Sequence, residues 1–274
     1  MTAPLIVSVV QARVGSSRLP GKVLLPLGGA TVLERMLERV ARARLGGMLV
    51  VATTTDPADD DIEALCGRAR VACYRGHPED LLDRHYQVAR VLDAAAVVKI
   101  PSDCPLIDPA VIDRVVGVYL EGQGHWDYVS NLHPPTYPDG NDVEICGFAA
   151  LETAWRIATR PFEREHTTPF LWERPHLFRL SNVALETGHD CSKSHRVVLD
   201  YVEDYEVIRQ VFDALSPTDP PFGVAEIVRY LDTHPAVAAV NARHRGVNWY
   251  RHHLAELRTV TAADTRLEAQ AIPS

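Results

Sequence analysis

Along the first two-thirds of the chain, hydrophobic positions alternate between short unbroken runs and runs spaced three or four residues apart. Residues 5–10 form an apolar, β-branched run interrupted only by Ser8, which predicts a buried strand. The spacing of Val32, Leu33, Met36, Leu37 and Val40 predicts a helix over 31–43, closed by Gly46-Gly47. Further strands are expected at 48–52, 71–74 and 94–100. A helix opens at Asp56-Pro57, another covers 79–92, and a third runs over 110–120 behind the cap Asp108-Pro109. The pattern then loosens. A Pro/Gly-rich loop spans 133–140, strands are expected at 142–146 and 195–199, and helices at 149–158, 163–172 and 203–215. A turn at Asp219-Pro220-Pro221 and two short helices follow, then a small, polar, loose tail over 259–274. Repeated strand, loop and helix predict an α/β fold with a mostly parallel central sheet and helices on both faces, in one domain over 1–258. Such sheets bind ligands beyond the carboxyl ends of their strands, so the loops after residues 10 and 100 should share one edge.

Composition narrows the function without changing that picture. The 274 residues are 46% hydrophobic and 23% charged, which excludes wholesale disorder. No apolar run approaches ~18 residues and the start has no basic leader, so a cytoplasmic protein with no membrane partner is expected. The net charge of −8 argues against nucleic acid as a partner but leaves room for a phosphate ligand at one cationic mouth. Five cysteines with no C-x-x-C pair argue against a disulfide framework or zinc site. Only three of the 28 basic residues are lysine, Lys22, Lys99 and Lys193. A lysine kept against that arginine bias suits a compact point charge on phosphate.

Three segments carry candidate chemistry. Gln11-Ala12-Arg13-Val14-Gly15-Ser16-Ser17-Arg18-Leu19-Pro20-Gly21-Lys22 follows the first strand directly. Its glycines let backbone approach a ligand, and Arg13, Arg18 and Lys22 would neutralise a triphosphate. It is neither a Walker A loop nor G-x-G-x-x-G. In Lys99-Ile100-Pro101-Ser102-Asp103-Cys104, Asp103 sits where a carboxylate could hold Mg²⁺, while Asp108 reads as a helix cap. Asp200 ends the late strand and could be a second metal carboxylate; Asp204 and Glu206 read as first-turn acids of the next helix.

Together these segments resemble the sugar-activating cytidylyltransferases, which act on acylneuraminate and 3-deoxy-manno-octulosonate. The resemblance is strongest to their spore-coat polysaccharide biosynthesis branch. The loop 11–22 is similar to the family's signature loop. Four more motifs follow in order: Arg75-Gly76-His77-Pro78-Glu79-Asp80-Leu81-Leu82-Asp83-Arg84, Asp103-Cys104-Pro105-Leu106-Ile107-Asp108-Pro109, Tyr137-Pro138-Asp139-Gly140-Asn141-Asp142-Val143-Glu144 and Arg164-Glu165-His166-Thr167-Thr168-Pro169. The resemblance implies a Rossmann-like nucleotide-diphospho-sugar transferase fold, usually dimeric, with 131–185 as the acceptor and dimerisation subregion. The His133 loop and the helix over 162–172 are the candidates for a homodimer interface. It implies transfer of CMP from CTP to an anionic acceptor such as a sugar acid, with Mg²⁺ and release of pyrophosphate, in surface polysaccharide or specialised metabolite synthesis.

Carried over by position, Arg13, Lys22, Asp103 and Asp200 are the catalytic set, and Asp103 and Asp200 hold the metal. Gln11, Ala12, Gly15, Ser16, Ser17, Arg18 and Ser102 support the nucleotide, and Arg75, Gly76, Asp80 and Asp83 lie near the cytosine. Asp139, Asp142, Glu144, Arg164, Glu165, His166 and Arg196 line the acceptor side, where Arg164, Lys193 or Arg196 would meet its negative charge. Pro101 and Gly147 depart from the branch pattern, which puts the acceptor in question more than the chemistry. Two other readings are a glycosyltransferase of similar fold, for which the Asp-x-Asp metal motif is missing at Ser102-Asp103-Cys104, and a non-catalytic nucleotide-binding protein. Pyrophosphate release from CTP separates both from the first reading.

Overall fold

The computed structural model describes residues 4–216 and 221–267. Its strands are β1 Ile6–Gln11, β2 Pro26–Leu27, β3 Ala30–Thr31, β4 Met48–Thr54, β5 Ala72–Gly76, β6 Ala96–Pro101, β7 Tyr128–Ser130, β8 Glu144–Gly147 and β9 Leu180–Asn182. Its α-helices are α1 Val32–Val40, α2 Asp60–Ala69, α3 Leu81–Val91, α4 Pro109–Glu121, α5 Phe148–Ile157, α6 Pro161–His166, α7 Pro169–Trp172, α8 Val202–Leu215, α9 Val224–Thr233 and α10 Pro235–Val240.

Seven strands form one sheet in the order β5-β4-β1-β6-β8-β7-β9. β5, β4, β1 and β6 are mutually parallel; β8 is antiparallel to both β6 and β7. Alternation along β1 sends its side chains to opposite faces. Ile6 and Val10 join the core under α1 and α4, while Val7 and Val9 join the core under α3 and α5. A third apolar cluster packs α8 and α9 against Leu106, Val197 and Leu199, which holds the chain before Asp200 against the sheet edge.

The parallel half matches the pattern of apolar runs. β7 and β9 are three residues each, too short for periodicity to reveal. The strand expected at 195–199 is not a sheet member: the segment is extended, with only an isolated bridge from Arg196 to Asp139. Its backbone bonds go to loops instead, Val197 N–H to Asp139 O at 2.7 Å and Leu199 N–H to Asp103 O at 2.7 Å. The helix expected over 163–172 is two helices, broken at Thr167 with φ 72° and restarted at Pro169, which cannot continue a helix from the preceding turn. The tail expected from 259 is packed as far as Arg266. Glu173 accepts the N–H groups of Arg258 and Thr259, and Arg266 N–H donates to Gly246 O. The turn at Asp219-Pro220 and residues 268–274 lie outside the described residues.

Candidate active site

Gln11 is in register with Ala52 on one side and Pro101 on the other, so the loops after β1 and β6 emerge at one sheet edge. The first loop folds back on itself. Ser16 N–H and Gly21 N–H both donate to Val14 O, at 2.8 and 3.0 Å, and Gly21 takes φ 70°, where a Cβ would be strained. Asp59 anchors the loop to β4: buried, it accepts Val14 N–H at 2.7 Å and Thr54 N–H at 3.2 Å. In the sequence Asp59 is one more acid at a helix start, and its reach across to Val14 has no local signal.

Lys22 is only 8% exposed. Its Nζ donates to Leu199 O at 2.7 Å, Asp200 Oδ1 at 3.0 Å and Asp103 Oδ2 at 3.4 Å. One ammonium thus joins two carboxylates from distant parts of the chain. Arg18 adds a second cation to Asp200 at 2.6 Å. Asp200 is oriented by the first turn of α8, where Asp204 accepts the N–H groups of Asp200 and Tyr201. Asp204 is itself clamped by buried Arg196, whose Nη1 also donates to Asp139 at 2.7 Å. Gly140 (φ 108°) lets this segment approach: a Cβ there would lie 2.6 Å from the Val197 carbonyl carbon.

Burial pushes the Asp200 carboxyl up, but Lys22, Arg18 and Arg196 outweigh it and hold it at about 2. Burial likewise disfavours the Lys22 ammonium, and Asp103 and Asp200 more than restore it, so both partners are charged at neutral pH. Asp139 and Asp142 behave oppositely. Burial drives both carboxyls up; Arg196 offsets part of this at Asp139, and the charge of Asp139 adds to it at Asp142. This carboxylate-rich edge suits a further cation. Asp103 and Asp200, hard oxygen donors already converging on one positive charge, fit Mg²⁺ or a similar divalent ion. Among the described residues no cluster of three or more metal-type side chains forms, so two carboxylates would be the protein's share, with phosphate and water completing the shell.

Two adjoining cavities meet at Gln11, Asp103 and His166. The loop-side cavity, about 410 Å³, is lined by Ala12, Arg13, Gly15, Ser16, Ser17, Arg18, Lys22 and Ser102, all on the expected nucleotide side. The segment 75–84 fits that expectation less well. Arg75 turns outward, ion-paired to Asp60 at 2.7 Å and Glu63 at 2.8 Å. Asp83 accepts from Trp155 Nε1, and Asp80 caps α3 and pairs with Arg164. Gly76 packs against the Arg84 stem, and the cation of this segment that reaches the cavity is Arg84. Arg75 is held by the acids of α2, which sequence order alone does not place beside it.

The inner cavity, about 260 Å³, is lined by Asp139, Asp142, Glu144, His166 and Arg196 as expected. Arg164 is absent from it because Asp80 holds its guanidinium, and Glu165 faces the loop-side cavity instead. Arg196 is committed to Asp139 and Asp204, so of the three cations expected to meet a negative acceptor Lys193 is the available one. It donates to Ala263 O at 2.6 Å and makes no ion pair among the described residues. Lys99, paired with Glu144, completes a set in which all three lysines of the chain border this one cleft. His166 is held neutral by burial, at about 3, and its ring stacks on Trp249 at 3.8 Å. It forms part of the wall of both cavities. Residues 246–250, which carry no recognisable motif, supply a further part of the inner cavity's wall.

Residues 7–226 match the family model described as cytidylyltransferase. The chain is 32% identical over 244 residues to an uncharacterised protein of Methanocaldococcus jannaschii, covering 88% of this chain and 96% of that one. It is 28% identical to the spore coat polysaccharide biosynthesis protein SpsF of Bacillus subtilis, over 85% of this chain and 96% of the relative. Among solved structures, a cytidylyltransferase from Leptospira borgpetersenii superposes with a TM-score of 0.81 at 31% identity, covering 86% of this chain and 97% of that chain.

Proposed function

The chain belongs to the cytidylyltransferase family, and from that membership we propose that it transfers CMP from CTP to a sugar-like acceptor with release of pyrophosphate. The observation that carries the reading is the Lys22 ammonium held between Asp103 and Asp200 at the seam of two cavities, one basic and one acidic and aromatic. CTP occupies the loop-side cavity, its triphosphate facing Arg13 and the backbone of 15–17. The acceptor occupies the inner cavity, with its anionic group toward Lys193.

An acceptor oxyanion, its hydroxyl proton released to solvent, attacks the α-phosphorus in line, a bond forms between them, and the bond to the bridging oxygen of pyrophosphate breaks, leaving pyrophosphate with the electron pair. The protein's work is positioning and charge neutralisation. Lys22, fixed by Leu199 O, presents a point charge to the phosphates. Arg18 is tethered to Asp200 beside it. Asp103 and Asp200 would hold Mg²⁺, which when bound neutralises phosphate charge and polarises the reacting oxygens. Trp249, Trp172 and His166 exclude water from the seam. The relationship to a spore coat polysaccharide biosynthesis protein supports a role in surface polysaccharide synthesis.

The test is thermal unfolding with CTP, UTP, ATP and GTP, each with and without Mg²⁺, followed by pyrophosphate detection over a panel of sugar acids. A ligand at ~100 times its Kd adds about 2.7 kcal/mol. Stabilisation by CTP with Mg²⁺ above the other nucleotides is expected; no stabilisation by any triphosphate would refute the proposal.

A further inference from the structure

Four lysine and arginine side chains line the loop-side cavity, and three have partners. Lys22 and Arg18 are ion-paired to Asp200, and Arg13 donates to Pro78 O at 3.4 Å. Arg84 differs. It is 4% exposed, its Nε and Nη1 have no hydrogen-bond partner, and it makes no ion pair among the described residues. A buried, unpaired guanidinium is costly, and a fold retains one where something absent from the free protein pairs it.

The surroundings make room for this side chain. It leaves the first turn of α3 and its stem passes Gly76, where a Cβ would lie 2.8 Å from Arg84 Cγ and 2.8 Å from the Tyr74 ring. Burial, and after it Arg13, lower its pKa to about 10, with Asp59 and Asp80 offsetting part of this from beyond ion-pair distance, so it stays charged at neutral pH beside a second guanidinium. Neither guanidinium makes an ion pair among the described residues, and the buried Nε–H and Nη1–H of Arg84 have no acceptor, so the pair suits an anion. A cytosine carbonyl would accept a hydrogen bond but leave the buried charge uncompensated; a triphosphate does both.

We propose that Arg84 is a nucleotide-binding residue, its buried Nε–H and Nη1–H donating to oxygens of the CTP triphosphate together with Arg13. The proposal rests on the CTP reading above but makes its own claim about phosphate. The probes are CTP with Mg²⁺, inorganic tripolyphosphate and cytidine, titrated calorimetrically into wild-type, Arg84→Met and Arg84→Lys protein, with the unliganded Tm of each. Arg84→Met is expected to weaken CTP and tripolyphosphate by about 10- to 100-fold, to leave cytidine unchanged, and to leave the unliganded Tm unchanged or raised. Arg84→Lys should recover part of the phosphate affinity. Wild-type affinity for CTP and tripolyphosphate in Arg84→Met would overturn the assignment. So would a loss confined to cytidine, or a fall in unliganded Tm that Arg84→Lys restores with binding unaffected. Wild-type protein that takes tripolyphosphate but not CTP would refute the CTP reading and leave the phosphate role of Arg84 standing.

Discussion

Replacing Lys22 by methionine separates what this ammonium does for the fold from what it does for the ligand. In the free protein it makes one bond to a carbonyl and two to carboxylates, from a side chain 8% exposed. Removing one member of a buried ion pair ordinarily costs about 3–5 kcal/mol. Here the cost is smaller, because Asp200 keeps Arg18 at 2.6 Å and Arg196 at 3.5 Å, and Asp103 is partly solvated. A loss of about 1–3 kcal/mol follows, roughly 2–10 °C in Tm for a chain of this size. Affinity for CTP with Mg²⁺ should fall about 10- to 100-fold, as expected for losing a charged hydrogen-bond donor to phosphate. Divalent metal without nucleotide should do the reverse. Lys22 competes for the same two carboxylates, so Lys22→Met should bind Mn²⁺ more tightly than wild type when titrated by electron paramagnetic resonance. Weaker Mn²⁺ binding in the variant, or undiminished CTP affinity, would refute the view that Lys22 occupies the metal carboxylates in the free protein and meets phosphate in the complex.

Asp200→Asn should abolish the Mg²⁺-dependent part of CTP stabilisation, read as the difference in Tm with and without metal. Arg75→Ala should leave CTP affinity unchanged by calorimetry with only a small fall in Tm, because its guanidinium faces Asp60 and Glu63. Gly140→Ala places a Cβ against the Val197–Val198 backbone at a φ of 108° and should cost more than about 2 kcal/mol, seen as a fall in Tm in the absence of ligand. His85 is fully buried and burial lowers its pKa to about 3, below the unfolded value near 6.5. The unfolded state therefore takes up a proton first as pH falls through 6.5, and stability is lost from there down toward 3, by about 2 kcal/mol at pH 5. The slope of Tm between pH 7 and 5 should be shallower in His85→Phe.

The sequence by itself determined the parallel half of the sheet and the two loops at its edge, while the family resemblance grouped Lys22, Asp103 and Asp200, which the fold brings into contact. The sheet half and its loops follow from apolar runs, caps and a basic Gly/Ser loop after a strand, whereas the strand expected before Asp200 is held by loops instead. Only the tertiary structure decided which charges remain available. Arg75 and Arg84 stand in one motif and look equivalent as text, yet α2 places Asp60 and Glu63 beside the first, while the missing Cβ of Gly76 lets the second lie buried with no partner. Arg164 and Arg196 looked ready to meet an acceptor, and Asp80, Asp139 and Asp204 hold them. Asp59 and the wall around Trp249 carry no local signature because each acts on a distant segment. Periodicity and turn chemistry are properties of neighbours in sequence. The availability of an ion depends on which opposite charge folding brings within about 4 Å, and that is set by packing between elements far apart in the chain.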